Sequence, residues 1–176
     1  MDDMDMWDEL FEKSQRKTIV MNEAGEKIML DSENYCGRPV LGKIVILPMS
    51  ATKEFHPSVA WAGISIRDPK IMHPGCGEPQ ITEVNRLDLL PLRFDDVEFE
   101  KSDRKVFTIE QAKEIWEFVD RLWDKVELLM IHCHAGISRS AAVGKAVSEK
   151  YQKEFVPYFD QLYIPNRLVY AKMVNT

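Results

Sequence analysis

Cys133 and Arg139 stand with five residues between them in the run IHCHAGISRS, which lies between an apolar stretch, LLMI, and a run of small residues, SAAVGKAV. A tight loop between a strand end and a helix start turns successive backbone N–H groups inward, and the helix N-terminus adds its positive dipole end. Such a loop is an oxyanion trap. Gly136 permits the sharp turn and the close approach of a phosphate. Arg139, in the first helical turn, can fork two hydrogen bonds onto phosphate oxygens, which a lysine could hold only as a point charge. The same field favours thiolate over thiol at Cys133, so one loop both holds a dianionic phosphate and presents a nucleophile to it.

The elements that must position this loop follow from the apolar periodicity. KIVILPM (Lys43 to Met49) and WAGISI (Trp61 to Ile66) read as buried strands, the second stopped by Arg67-Asp68-Pro69. Lys70 to Glu83, with PGCGEP inside it, reads as a loop, and LPLRF as a strand running into the acidic, exposed stretch DDVEFEKSD. Thr108 and Gln111 form a capping-box pair ahead of Ile109, Ala112, Ile115, Trp116, Val119, Leu122 and Trp123, which repeat at helical spacing. Leu128 to Ile131 is a short strand, Ala141 to Val147 a helix whose small residues suit close packing on a sheet, and a last helix starts near Pro165-Asn166. TIVMN and KIMLD flank EAGE as a hairpin, and Met6, Trp7, Leu10 and Phe11 share one helical face that would dock on the chain's own core or else on a partner. The order of elements implies an α/β fold, a central mainly parallel sheet with helices on both faces. Residues 1–42 read as an N-terminal extension and 43–176 as the main domain.

Composition bounds the rest. At 176 residues, 45% hydrophobic and 30% charged, the chain has one globular core. Its net charge of −6 makes neither nucleic acid nor an anionic membrane a partner, so any bound anion must be held locally. Cys36, Cys76 and Cys133 fit a reducing compartment rather than a disulfide framework, and the acidic N-terminus carries no secretory signal, so cytoplasm is the expected location. His73 and Cys76 have a zinc-like spacing with no matching second pair, so no metal is expected. Cys36 or Cys76 could pair with an oxidised Cys133 only if the fold brought one of them near.

His132-Cys133, Gly136 and Arg139-Ser140 match the H-C-x-x-G-x-x-R-[ST] signature of protein tyrosine phosphatases, and HCHAGISRS resembles its dual-specificity version. The resemblance is tight over Ile131 to Ser140, extends in element order from about Lys43 to the end, and is absent from the extension. It implies that Cys133 attacks phosphorus to give a phosphocysteine. Loop positions His134, Ala135, Gly136, Ile137 and Ser138, together with Arg139, would hold the transferring group. Ser140 would help the sulfur leave, His132 would orient the loop, and an upstream aspartate would serve as general acid and then base. No cofactor is implied.

The resemblance places that aspartate on a loop after a strand, some thirty to forty residues before the cysteine and two after the aromatic that ends the strand. Phe94 makes this Asp96, 37 residues before Cys133, and alternation would place Leu92, Phe94 and Asp96 on one side if the strand geometry persists that far. Asp95 would then point away or cap the following turn, and Asp103 is the next candidate.

The expected substrate is a phosphorylated protein, phosphotyrosine first and phosphoserine or phosphothreonine if the cleft is shallow. His134, Ala135, Ile137 and Ser138 supply no fixed positive charge, unlike the lysine-bearing loops of lipid phosphatases of the same fold. Arg67, Lys70, Arg86 and Arg93 read as solvated surface, although Arg67 or Lys70 could meet substrate. A phosphatase of a phosphoinositide or an RNA 5′ phosphate, and a non-catalytic phosphoprotein-binding module, are the alternatives. A monomer is the default state.

Overall fold

The computed structural model describes residues 17–22, 24–31, 36–70 and 78–176. The amphipathic face read at Met6 to Phe11 and the His73–Cys76 pair lie outside them.

β1 (Lys17–Met21) and β2 (Lys27–Asp31) form the expected antiparallel hairpin, with Lys17 opposite Asp31 and Met21 opposite Lys27. Its turn is closed by Asn22, whose Oδ1 accepts from the Glu26 amide at 2.8 Å. The Met21 amide donates to Gln161 Oε1 and the Met21 carbonyl accepts from Gln161 Nε2, both at 2.7 Å, which ties the hairpin to the main domain.

That domain is built on a five-stranded sheet in the order β3-β4-β7-β5-β6: β3 is Val40–Leu41, β4 Ile44–Pro48, β5 Trp61–Arg67, β6 Arg86–Arg93 and β7 Leu128–Cys133. β3 is antiparallel to β4 and the remaining pairs are parallel. The sheet therefore takes in two residues, Val40 and Leu41, from the stretch read as extension. Strands covered on both faces lose the apolar–polar alternation of half-exposed ones, which is why IVIL in β4 and LLMI in β7 are unbroken apolar runs.

Four α-helices follow: α1 (Ile109–Leu122), α2 (Arg139–Tyr151), α3 (Val156–Leu162) and α4 (Arg167–Val174). α1 starts at the capping box, Thr108 Oγ1 accepting from the Gln111 amide and Gln111 Oε1 from the Thr108 amide, each at 3.1 Å. Ile44, Ile46, Ala62, Ile64, Leu129 and Ile131 pack with the buried residues of all four α-helices on one sheet face. On the other face Val45, Leu47, Trp61, Leu128 and Met130 pack with Phe55, which follows a 3-10 helix at Met49–Glu54. Helical elements thus cover both faces, unequally. The small residues of α2 do bring it close to the sheet: a Cβ on Gly144 would lie 2.8 Å from the Phe159 ring and 3.0 Å from Ile46 Cδ1. α3 has no counterpart in the sequence reading; Pro157 stands in its first turn, where a missing N–H costs nothing.

His132, in the middle strand of the sheet, is wholly buried, and its Nε2 lies 2.6 Å from Ser65 Oγ on β5. Burial above all, and then the positive charges of Arg67 and Arg139, lower its pKa from 6.5 to about 4. Between those values the unfolded chain takes up a proton that the folded chain refuses, so stability falls as pH drops from 6.5 toward 4 and is flat above 6.5 from this group. Urea unfolding at pH 7 and pH 5 should show about 2 kcal/mol more acid loss in wild type than in His132→Gln, which stays neutral. Equal pH slopes in the two proteins would show that His132 is not the titrating group.

Candidate active site

The parallel register brings the carboxyl ends of β4, β7, β5 and β6 to one edge, where Pro48, Cys133, Arg67 and Arg93 stand. Residues 134–138 loop from the end of β7 to the start of α2 at this edge. Three of their carbonyls are taken by donors from outside the loop: His134 by the Met49 amide at 3.1 Å, Ile137 by the Ile164 amide at 3.1 Å, and Ser138 by the Asn166 amide at 3.1 Å. With the carbonyls held outward, the amides turn the other way, and the Gly136 N–H donates to Cys133 Sγ at 3.3 Å. Gly136 has φ +65°, and a Cβ there would lie 2.4 Å from the Pro48 nitrogen, so conformation and space both demand glycine.

Cys133 is 1% exposed and forms the floor of this cradle, while His134, Ala135 and Ile137 are exposed at its rim. Ser140 Oγ lies 3.1 Å from the sulfur. Ser138 stands at the N-cap of α2 yet makes no side-chain cap, which leaves the positive end of a 13-residue helix facing the loop.

Arg139 is 3% exposed, and its guanidinium is held along one edge only. Nη1 donates to Asp68 Oδ1 at 2.7 Å and to the Phe94 carbonyl at 2.8 Å. The buried Nε has no partner among the described residues. The two strand ends that follow β5 and β6 therefore fix the plane of the fork through Nη1 alone.

Asp95 and Asp96 go in opposite directions. Asp95 closes the base of its own loop: its amide donates to the Lys105 carbonyl at 2.7 Å, its Oδ2 accepts from the Lys105 amide at 2.8 Å, and its Oδ1 lies 3.6 Å from Arg104. Asp96 reaches the cradle, where its Oδ1 accepts from Ser138 Oγ and from Asn166 Nδ2, each at 2.8 Å. Asp103 is exposed.

Sequence reading missed three residues here. Asp68 was taken only as part of a strand stop, although a carboxylate just past the carboxyl end of a strand is well placed to meet a cradle there. Asn166 was seen as a helix start, and its Oδ1 does cap α4 at the Val169 amide, 3.0 Å away. Its Nδ2 meets a carboxylate 70 residues back, and no local pattern announces that. Ser65 sits in an apolar strand, where a lone hydroxyl was a sign of a buried polar partner. Cys36 is held elsewhere: its thiol donates to the Ala51 carbonyl at 3.4 Å, and burial and then Glu54 push its pKa up.

No family model and no curated protein matches the sequence. Solved structures do. The human tyrosine phosphatase-like serine/threonine/tyrosine-interacting protein matches 74% of this chain and 88% of its own, with 22% identity and a TM-score of 0.54. Human DUSP28 matches 74% of this chain and 86% of its own at 18% identity, with a TM-score of 0.50. Tk-PTP in its active form matches 76% and 92% at 15% identity, also with a TM-score of 0.50. At these identities the likeness speaks for the backbone architecture. The chain has the fold of the dual-specificity and tyrosine phosphatases.

Proposed function

We infer that this chain is a cysteine-dependent phosphatase acting on phosphorylated proteins, phosphotyrosine first. The observation that carries the reading is the coincidence of a buried thiol under an inward-facing loop amide with an arginine clamped along one edge and unpartnered at Nε.

Cys133 Sγ attacks phosphorus, forming the S–P bond as the P–O bond to the leaving group breaks. Loop amides and Arg139 neutralise the equatorial oxygens throughout, with donors already fixed before the substrate arrives. Asp96 hands its proton to the departing oxygen. Its carboxylate then takes a proton from the water that attacks the phosphocysteine, and the Ser140 hydroxyl donates to the sulfur as it leaves. The two donors on Asp96 Oδ1 leave Oδ2 as the oxygen that carries the transferred proton. His132 stays neutral and supports the strand end below the nucleophile.

Cys133→Ser should abolish hydrolysis of para-nitrophenyl phosphate while still binding a phosphotyrosine peptide. Residual turnover above a few per cent of wild type would rule out the thiolate route. Asp96→Asn should slow phosphotyrosine hydrolysis by about 10²–10⁴-fold, with a smaller loss on an aryl phosphate whose leaving group needs little protonation; Asp95→Asn should change little. If the two variants exchange these behaviours, the acid is Asp95. Because the rim positions His134, Ala135, Ile137 and Ser138 carry no lysine or arginine, phosphotyrosine peptides should turn over at least about tenfold faster than inositol phospholipids. Equal or faster lipid turnover would contradict the substrate assignment.

A further inference from the structure

The helical side of the sheet carries a groove of about 480 Å³ at the junction of α1, α2 and the end of α4. Its floor is apolar: Trp116 of α1, Ala146 of α2, and Met173 and Val174 of α4. The Trp116 indole N–H donates to the Met173 carbonyl at 3.0 Å, which joins α1 to α4 there. Val174 keeps 43% of its surface exposed, and Ile109, two turns before Trp116 on the same flank of α1, keeps 39%. Ala146 lies two helical turns beyond Arg139 on α2, roughly 10 Å along the axis, and no cradle residue lines the groove.

The rim decides what fits. Glu110 and Glu117 on α1 and Glu149 on α2 are exposed and pair with no cation among the described residues. Glu149 meets only the Tyr170 hydroxyl, at 3.5 Å. Of the two lysines lining the groove, Lys113 is uncommitted and Lys150 is bound to Asp120 at 2.6 Å. Lys150 also shows what the groove holds well. Its ammonium lies 5.0 Å from the centre of the Trp116 ring, a cation between an indole face and a carboxylate.

An apolar floor with an acidic rim fits an apolar ridge flanked by lysine or arginine, and three helices with a groove between them accept the side-chain ridge of a fourth. The run MDDMDMWDELFE at the start of the chain has the same sign of charge as the rim, so it is the wrong occupant. A second copy brings the same rim and a net charge of −6, and is opposed likewise. We propose that the groove between α1, α2 and α4 docks a basic amphipathic helix of a partner protein, with apolar side chains on Trp116 and Val174 and cations against Glu117 and Glu149. Docking there leaves the cradle open to a phosphorylated residue. The surface does not depend on the phosphatase reading and stands or falls by itself.

The test selects random peptides of about fifteen residues, long enough for a helix, on the immobilised full chain. The affinity of each selected peptide is then read by fluorescence anisotropy. Selected peptides should carry apolar residues at i, i+3 or i+4, and i+7, with lysine or arginine on the flanks. Glu117→Lys and Val174→Glu should each weaken their binding by about tenfold or more. Glu54→Lys, the same charge change on the other face of the sheet, should leave it unchanged. Thermal midpoints check that lost binding is not lost folding; if Val174→Glu is destabilised, Glu117→Lys alone decides. Selected peptides that are acidic, or that lack the helical apolar spacing, would overturn the occupant. No selected peptide, or peptides that bind both groove variants as tightly as wild type, would overturn the docking groove. A chain that sediments as a dimer and becomes monomeric in Val174→Glu would make a second copy the occupant and overturn the partner.

Discussion

A buried guanidinium has to be paired or it unfolds its surroundings, and the way Arg139 is paired organises this end of the molecule. Its Nη1 bonds Asp68, just past β5, and the carbonyl of Phe94, just past β6. Neither partner is on the strand that carries the cysteine, so the clamp holds three neighbouring strand ends and the start of α2 in one arrangement. Without it the fork could swing and the loop amides would surround a space with no fixed cation. Nη1 is satisfied by protein acceptors, while the buried Nε has no partner among the described residues. Asp68 therefore meets the loop only through Arg139.

Asn166 does the same work for the loop that carries Asp96. It is wholly buried, caps α4 with its Oδ1, holds the Ser138 carbonyl with its backbone amide, and gives its Nδ2 to Asp96 Oδ1 and, at 3.2 Å, to the Val97 carbonyl. One residue thereby couples the cradle, the Asp96 loop and the last helix. The Asp95 contacts to Lys105 and Arg104 close the same loop from its other end, so the two adjacent carboxylates divide the tasks of anchoring the loop and reaching the cradle. The aspartates have like charge and neighbouring positions; only their partners separate their roles.

The sequence made plain whatever depends on neighbours along the chain. The capping box at Thr108, the hairpin around Gly25, the apolar runs of β4 and β7 and the strand–loop–helix around Gly136 are all local patterns, and the structure has each of them. β6 ends at Arg93, so no strand alternation reaches Asp96, and its bonds to Ser138 and Asn166 are what turn it to the cradle. What stayed hidden is everything that strand order creates. The links Arg139 to Asp68 and Asn166 to Asp96 span about seventy residues each, and Arg67 meets Arg93 only because β5 and β6 pair in parallel. Periodicity tells which residues face a core but not which strand lies alongside. The same gap explains why Val40 and Leu41 looked like extension: two residues carry no period, and only their antiparallel pairing with β4 makes them sheet.

The central claim is that Cys133 bonds covalently to phosphorus in a cradle aligned by Arg139. Rapid mixing of the protein with a phosphotyrosine peptide, acid quenching within the first turnover and peptide mass spectrometry would test it most directly. Phosphate should appear on the peptide containing Cys133, be absent when Arg139 is replaced and be gone once substrate is exhausted. Phosphate trapped on a histidine, or steady turnover with no phosphorylated cysteine at any quench time, would contradict it.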